Sequence, residues 1–533
     1  MSSKQKELVY RIAYGFWFLA LMLIDWTRGS QRGVVWEMTV NFTGVVMAVL
    51  LLTWAEWKRF LHPIYAVWTL LGASAIPLSL HWWQSHQAVI YRDKLWSAVL
   101  SVWFLGYFVI YVIKYWGFKR LGARLVQDKS NLVLYIMLFW MFFSLNEDIW
   151  PIWYLLMVLL IVAMPREQWQ IDALRKGMID GIVADFFIIQ GLAFVFRPFD
   201  APDCRYVGMY ANTNMNALFY CIVLMAFLVR LYEVQKRNAP KWQYILLFLL
   251  ATGTCGFLCL TVSRTGLMTA FVLVVTYLIV VGFVLLKWDA KKALCRILIF
   301  GLCSILMIPV TYSVARYLPP LFHHPIWFDG EYSEDKVHSW DPIDSEKYVT
   351  LEDVLNQLHI RTGAMKSHAL ELFVDEPEEV TNYETWGVTL HGKFYKYGSP
   401  ELLRHESLYS RLAIWEHYLK YGTLWGHSNT WGHQTGMYGI TWHGQNAFVQ
   451  LWFYYGIPAG ILYLLWIVVN IAFGVKLLQN RPETGALLIL SMVVVFAFGI
   501  LEATWYPAQM VLFLLVFAKM LLTQVGEQEL QYE

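Results

Sequence analysis

The chain alternates apolar runs, each long enough to enter a bilayer, with short polar connections. The runs fall at roughly 11–26, 38–56, 63–82, 95–114, 131–146, 148–164, 177–196, 213–232, 243–262, 265–286, 297–317, 446–474, 484–501 and 507–523. About 20 predominantly apolar residues in a helix cross roughly 30 Å of hydrocarbon. The pattern therefore predicts an all-α polytopic membrane protein with about 14 transmembrane helices. One connection departs from it. Residues 318–445 form a polar segment, rich in Asp and Glu up to about residue 406, that is too long for a plain linker. Within it Leu408, Arg411, Trp415 and Leu419 recur at helical spacing, which predicts an amphipathic helix near 402–421 on or near the membrane surface. The expected organisation is an N-terminal membrane region over 1–317 with about 11 helices, a large extracytoplasmic loop over 318–445, and a C-terminal membrane region over 446–533 with about three helices.

Charge assigns sides to these spans, because Lys and Arg in short loops stay cytoplasmic. With the N-terminus inside, the inner connections carry Lys58 and Arg59, the cluster from Lys114 to Lys129, Arg166 with Arg175 and Lys176, Lys236 with Arg237 and Lys241, the cluster from Lys287 to Arg296, and Lys476 with Arg481. Both termini are then cytoplasmic. The outer connections keep few basic residues: Arg28, Arg32, Arg92, Lys94, Arg197, Arg205 and Arg264. The start of the chain has a basic prefix and an apolar run without a small-residue cleavage site, and it reads as a retained first span rather than a signal peptide.

Composition agrees with the pattern: 58% hydrophobic residues against 15% charged leave too little polar surface for a water-soluble monomer. The formal charge of +2 gives no nucleic-acid signal. Of six cysteines, five lie in or beside apolar runs and Cys204 has no CxxC partner, so neither a disulfide framework nor a metal site is expected.

The outer-face exceptions hold the candidate chemistry. "DCRYVGMYANTNMNALF" places Arg205 and Gly208 before a span beginning near Asn212 or Asn214, and "LTVSRTGLMTAF" turns between two spans at Ser263 and Arg264. "YSRLAIWEHYL" carries Arg411, and "WHGQNAF" carries His443 with Asn446 at the start of a span. Asn214, Ser263 and Asn446 are candidate N-caps of helices that aim free N–H groups and the positive dipole end outward, a geometry that favours anions. Arginines added to such ends suit a pyrophosphate, since the guanidinium forks onto two oxygens, and an anionic lipid headgroup is the natural ligand. An arginine at a membrane edge also snorkels to water or lipid phosphate without any catalytic role. Arg264 has least room for that, in a turn of almost no length. Arginines around a neutral His443 would disfavour its protonated form by like charge and leave it free to take a proton from a sugar hydroxyl. His323, His324, His427 and His433 read as hydrogen-bonding loop residues, and the histidines from 427 to 443 lack a recognised zinc spacing. Gly456 and Gly460 around Pro458 suggest close helix packing with a kink. Glu502, ending another span on the outer side, is placed to orient His443 or an arginine, or is an interfacial carboxylate.

In order along the chain, these blocks resemble those of the O-antigen polymerase and O-antigen ligase superfamily of bacterial membrane glycosyltransferases. "RYVGMYANTNMNALF" is similar to the family's Arg, Gly and Asn-x-Asn segment opening a span, and "LTVSRTGLMTAF" resembles its Ser-Arg turn. "SRLAIWEHYLKYGTLWGH" is similar to its Arg-x-x-x-Trp helix, and "HGQNAFVQLWFYYGIPAG" to the block in which His-Asn precedes a span and a glycine pair follows. The resemblance covers roughly residues 200–515. It implies a GT-C-like transferase of the bacterial plasma membrane that takes a polyprenyl-diphosphate-linked glycan on its outer face, with no cofactor and no metal. By position, Arg205, Arg264 and Arg411 would contact the diphosphate and glycan, with Asn214, Ser263 and Asn446 at the helix ends around them, and His443 would be the base. Where the family usually has His-Asn together, this chain has Gln445-Asn446 with the histidine two positions earlier, so either His443 reaches in from upstream or Gln445 occupies the base's place. The implied partners are the lipid-linked donor, a glycan or lipid-linked acceptor, membrane lipids, and a chain-length regulator or flippase. Polymerisation of surface polysaccharide is the favoured reading, with ligation to a lipid A core or another surface acceptor beside it. A lipid-linked oligosaccharide flippase is the alternative of another class, and a metal-dependent transferase using Asp25, Glu37, Asp200 or Asp203 is a third.

Overall fold

The computed structural model describes residues 3–24, 58–85, 99, 102–103, 106–107, 109–116, 129–146, 151, 155, 168–194, 199–200, 204–210, 213–318, 349–359, 387–390, 393–396, 415, 418–428 and 446–502. Among them the fold is mostly helical, and seven helices are long and apolar enough to cross a membrane. The chain is thus membrane-embedded by length and composition. The runs expected at 38–56 and 507–523, and nearly all of 148–164, lie outside the described residues, as do Arg411, His443 and Gln445.

In chain order the helices are α1 (Ser3–Ile24), α2 (Pro63–Ser85), α3 (Lys129–Phe142), α4 (Gln168–Ala193), α5 (Thr213–Lys236), α6 (Lys241–Leu260), α7 (Arg264–Tyr277, continued by a π-helical stretch Leu278–Leu285), α8 (Ala290–Tyr317), α9 (Ala447–Tyr454), α10 (Ile457–Asn480) and α11 (Pro482–Gly499). Two antiparallel hairpins accompany them: β1 (Phe199–Asp200) with β2 (Arg205–Tyr206), and β3 (Gly387–Leu390) with β4 (Lys393–Lys396). The all-α expectation did not include these hairpins. α5 is the hub, buried along nearly its whole length, and α4, α6, α7 and α11 pack around it. α8 packs on α6 and is otherwise little covered, so its Leu302, Ile305 and Leu306 face outward as a lipid-facing helix would. The local signals are ordinary. Ser263 caps α7, Asp289 caps α8 by accepting from the Lys292 N–H at 2.6 Å, and proline opens the first turn of α10 and α11.

Two close approaches set the packing. α1 lies parallel to α4, and Gly177 and Gly181 make that possible: a Cβ on either would stand 2.5 Å from the Arg11 carbonyl oxygen or 2.6 Å from that of Gly15. The second corrects the run expected at 446–474. It is not one span with a kink but two helices, because Gly456 adopts φ +97° and ends α9, and α10 starts afresh one residue later with Pro458 in its first turn. A side chain at Gly456 would meet the Leu424 carbonyl oxygen at 2.1 Å. The segment 421–428 occupies the break. Ile457 N–H donates to the Thr423 carbonyl at 3.0 Å and His427 N–H to that of Tyr454 at 3.2 Å, so the interrupted ladder finds other partners. The His427 ring is buried against Phe453 and bonds the Tyr421 carbonyl, a loop-end structural role as expected.

Of the amphipathic helix expected over 402–421, only residues 415 and 418–421 are described. Its buried face differs from the expected stripe: Tyr418 is 5% exposed and stacks on Phe453, whereas Leu419 is 40% exposed.

Ion pairs gather at one end of the bundle. Glu233 of α5 accepts from Arg175 of α4 and from Arg230, Asp180 pairs with Arg11 and Arg230, Lys176 with Glu7, and Lys236 with Glu483 of α11. α4 and α11 start at this end and α5 finishes there.

Gly181→Leu is expected to push α1 off α4 and cost about 1–3 kcal/mol by overpacking. Gly191→Ala, whose Cβ meets nothing within 4 Å, is expected to leave stability unchanged or raise it by up to about 1 kcal/mol. Thermal unfolding of the purified chain followed by tryptophan fluorescence distinguishes the two; equal midpoints would contradict the close approach.

Candidate functional site

The end opposite the ion pairs is built from four stretches of chain distant in sequence. The hairpin β1–β2, with Asp200 paired to Arg205 in register, brings Arg205 to the mouth of α5. Its guanidinium is buried and aimed by two neutral acceptors: Nε donates to the Thr261 carbonyl at 2.9 Å and Nη2 to the Asn214 Oδ1 at 3.2 Å. The same Asn214 oxygen accepts from the Ser263 hydroxyl at 2.9 Å, and its Nδ2 donates to the Glu502 carboxylate at 2.6 Å. One amide thus joins the hairpin, the α6–α7 turn and the end of α11. Its orientation follows from its partners, since the oxygen faces two donors and the nitrogen an acceptor.

The α6–α7 turn has three residues, Thr261 to Ser263, and all are buried. Ser263 caps α7 by accepting from the Gly266 N–H at 3.3 Å while its hydroxyl hydrogen goes to Asn214. Val262 sits between them at φ +50°. A β-branched residue there is strained, and such outliers persist only where the surroundings over-determine them. The strain fixes the carbonyl that Arg205 binds. Arg264, half-buried, opens α7 directly after the cap.

The fourth stretch is the start of α9. Asn446 caps it, accepting from the Val449 N–H at 3.1 Å, and its Nδ2 donates to the Ile500 carbonyl at 2.8 Å, two residues before Glu502. Two of the three expected caps, Ser263 and Asn446, are therefore caps. Asn214 is not one: α5 already begins at Thr213, so its amide lies in the first turn and serves as the joint between segments. Glu502 is buried in this network rather than interfacial. Of the residues expected at the site, Arg205, Asn214, Ser263, Asn446 and Glu502 come together and Arg264 adjoins them. Of the acidic residues considered for a metal, Asp200 lies in the hairpin, while Asp25, Glu37 and Asp203 are outside the described residues.

Sequence reasoning missed two buried polar groups on α4. Gln190 donates to the Tyr206 hydroxyl at 2.6 Å and accepts from that of Tyr220 at 2.7 Å, which fixes the strand carrying Arg205 from below. Asp185 is completely buried, and among the described residues neither of its oxygens has a hydrogen-bond partner. A lone polar residue inside an apolar run was the available signal for both.

The chain matches no protein-family model and no curated protein.

Removing the joint is expected to strand its neighbours. Asn214→Ala should cost about 1–3 kcal/mol for each polar group left unpaired, Ser263→Ala about 1 kcal/mol for the lost cap, and the double variant less than their sum, with coupling of about 0.5–3 kcal/mol. A double-mutant cycle in denaturant unfolding measures this, and strict additivity would break the network apart.

Proposed function

We propose that the protein is a membrane glycosyltransferase that moves a glycan from polyprenyl diphosphate to a sugar hydroxyl of an acceptor, on the outer face of a bacterial plasma membrane. The observation that carries this reading is the convergence of Arg205, Asn214, Ser263, Asn446 and Glu502 at the end of the bundle away from the ion pairs. Two of the helices meeting there are capped at that end, so their N–H groups and dipoles add to the cations.

In this reading the polytopic bundle is GT-C-like with about 14 spans and both termini cytoplasmic. Arg205, Arg264 and Arg411 hold the diphosphate. The acceptor oxygen loses its proton to His443 and attacks the anomeric carbon; the C–O bond to the diphosphate breaks with inversion, and the charge that develops on the leaving oxygen falls on arginines already in place. Asn446, three residues after His443 in the sequence, caps α9 beside Glu502. Lipid-linked acceptors would make the enzyme a polymerase of surface polysaccharide, working beside a chain-length regulator or flippase, and a lipid A core or another surface acceptor would make it a ligase.

Asp185 favours a second reading. An intramembrane carboxylate without a partner among the described residues is a feature of transporters, and a flippase for the same lipid-linked glycans would also want cations facing a diphosphate.

Purified protein given defined lipid-linked repeat units is expected to yield a ladder of chain lengths, with Arg205→Ala or Arg264→Ala lowering turnover by about 10²-fold and His443→Ala abolishing it. Transfer of a single unit only to an added core acceptor points to the ligase. Movement of labelled glycan across proteoliposomes with no new glycosidic bond, lost in Asp185→Asn, would replace the transferase reading with the flippase.

A further inference from the structure

α6 and α8 lie side by side and run in the same direction. Tyr244 meets Arg296 near their starts, Phe248 packs on Phe300 one turn on, and a Cβ on Gly256 would stand 2.8 Å from the Thr311 hydroxyl farther along. Both helices therefore begin at the end of the bundle where α5 finishes, beside the ion pairs. Five cations collect at the two starts: Lys241, Lys287, Lys291 and Lys292, all exposed, and the half-buried Arg296. The one carboxylate in the turn between α7 and α8, Asp289, caps α8 by accepting from the Lys292 N–H. Among the described residues none of the five cations pairs with a carboxylate, whereas Arg11, Arg175, Lys176, Arg230 and Lys236 at the same end each do.

Arg296 is nonetheless fixed in place. The π-helical stretch ends where Lys287 adopts φ +52°, and the chain folds back so that the Trp288 N–H donates to the Gly282 carbonyl at 2.9 Å. A non-glycine residue at positive φ persists where its surroundings over-determine it. The Trp288 ring is buried against Gly282, on which a Cβ would stand 2.7 Å from the indole. The Arg296 guanidinium lies over this ring at 4.2 Å from its centroid, and Nη1 donates to the Tyr244 hydroxyl at 3.5 Å. Such a stack sets the plane of the guanidinium and keeps most of its in-plane N–H groups for oxygens, the geometry that suits a phosphate.

Beside the cations the surface turns apolar at once, with Trp242 of α6 and Leu294 and Leu298 of α8 exposed. A ligand that matches both surfaces has an anionic head on a hydrocarbon body. Inorganic phosphate has no use for exposed leucines, and a zwitterionic lipid brings a further cation to a corner that already has five.

We propose that this corner is a binding site for one anionic phospholipid of the leaflet at the ion-pair end, with its phosphate on Arg296 and the neighbouring lysines and its chains in the bilayer. The headgroup supplies the negative charge that the chain itself does not, and it ties the start of the little-covered α8 to α6. The site lies at the opposite end of the bundle from Arg205 and is independent of the glycan chemistry proposed there.

The test titrates the full purified chain, in neutral detergent, with phosphatidylglycerol and reads bound lipid by native mass spectrometry. One phosphatidylglycerol is expected to stay bound under conditions that strip phosphatidylcholine. Arg296→Gln should weaken that binding about tenfold through loss of a charge-assisted contact, and Arg296→Lys, which keeps the charge without the planar stack, should recover only part of it. Lys58→Gln, which removes an exposed charge in the turn before α2, should leave it unchanged. Phosphatidylglycerol should also raise the thermal midpoint of the unaltered chain and not that of Arg296→Gln. Where Arg296→Gln does not fold, the double variant Lys291→Gln with Lys292→Gln, at two exposed positions, is expected to lose about tenfold as well. Equal weakening by Lys58→Gln and by the corner variants would leave only diffuse attraction and overturn the site. Equal retention of phosphatidylcholine, or displacement by an equal concentration of inorganic phosphate, overturns the lipid as its ligand. A dimer formed in place of the lipid adduct overturns it too, and gives the exposed face of α8 to a second copy of the chain.

Discussion

The arrangement of this bundle depends on one constraint: inside hydrocarbon a polar group must find its partner within the protein, because no water is there to supply one. Asn214 shows what that does. Its amide has an acceptor oxygen and a donor nitrogen and spends them on Arg205, Ser263 and Glu502, three groups from segments up to 297 residues apart. None of these side chains could be withdrawn from water alone. Together they close a network in which burial strengthens each bond, and the hairpin, the α6–α7 turn and the end of α11 are located by the same few atoms.

The same constraint explains the break at Gly456. Interrupting a membrane helix exposes carbonyls and N–H groups that lipid cannot satisfy, so a break survives only where other chain covers it. Residues 421–428 provide that cover, with Trp425 stacked on Trp140 at 4.5 Å and the Trp140 indole N–H donating to the Tyr455 carbonyl. The last described part of the long polar segment is therefore built into the membrane region where α9 meets α10. The 8-residue α9 is held between this cover and the Asn446 cap, which explains how so short a helix can present a defined end to the site.

Much of this was legible in the sequence, for identifiable reasons. Apolar runs report span length directly, and the seven long apolar helices among the described residues fall on runs read that way. The caps at Ser263 and Asn446 were legible because capping is local chemistry. What escaped was non-local. Asn214 looked like a cap because residue type and position allow one, and only the start of α5 at Thr213 turns its amide toward three other segments. The break at Gly456 read as a kink because Pro458 was visible and the φ of +97° was not. Gln190 was passed over as one polar residue in an apolar run, although its two tyrosine partners give it a defined place beneath Arg205.

The two ends of the bundle use arginine differently. At one end Arg11, Arg175 and Arg230 meet Asp180 and Glu233, contacts that cancel charge and brace helices. Arg175 with Glu233 is the buried pair among them, and removing one partner of such a pair costs about 3–5 kcal/mol, so it acts as a fastener. At the other end Arg205 donates to the Thr261 carbonyl and to the Asn214 amide oxygen, and the far side of that amide donates to Glu502. A guanidinium held through an amide ties its own strand to every segment the amide reaches, because one small group donates and accepts at once. One end of the bundle thus sets arginine against carboxylate to brace helices, and the other sets it against an amide to locate a hairpin, a turn and a helix end.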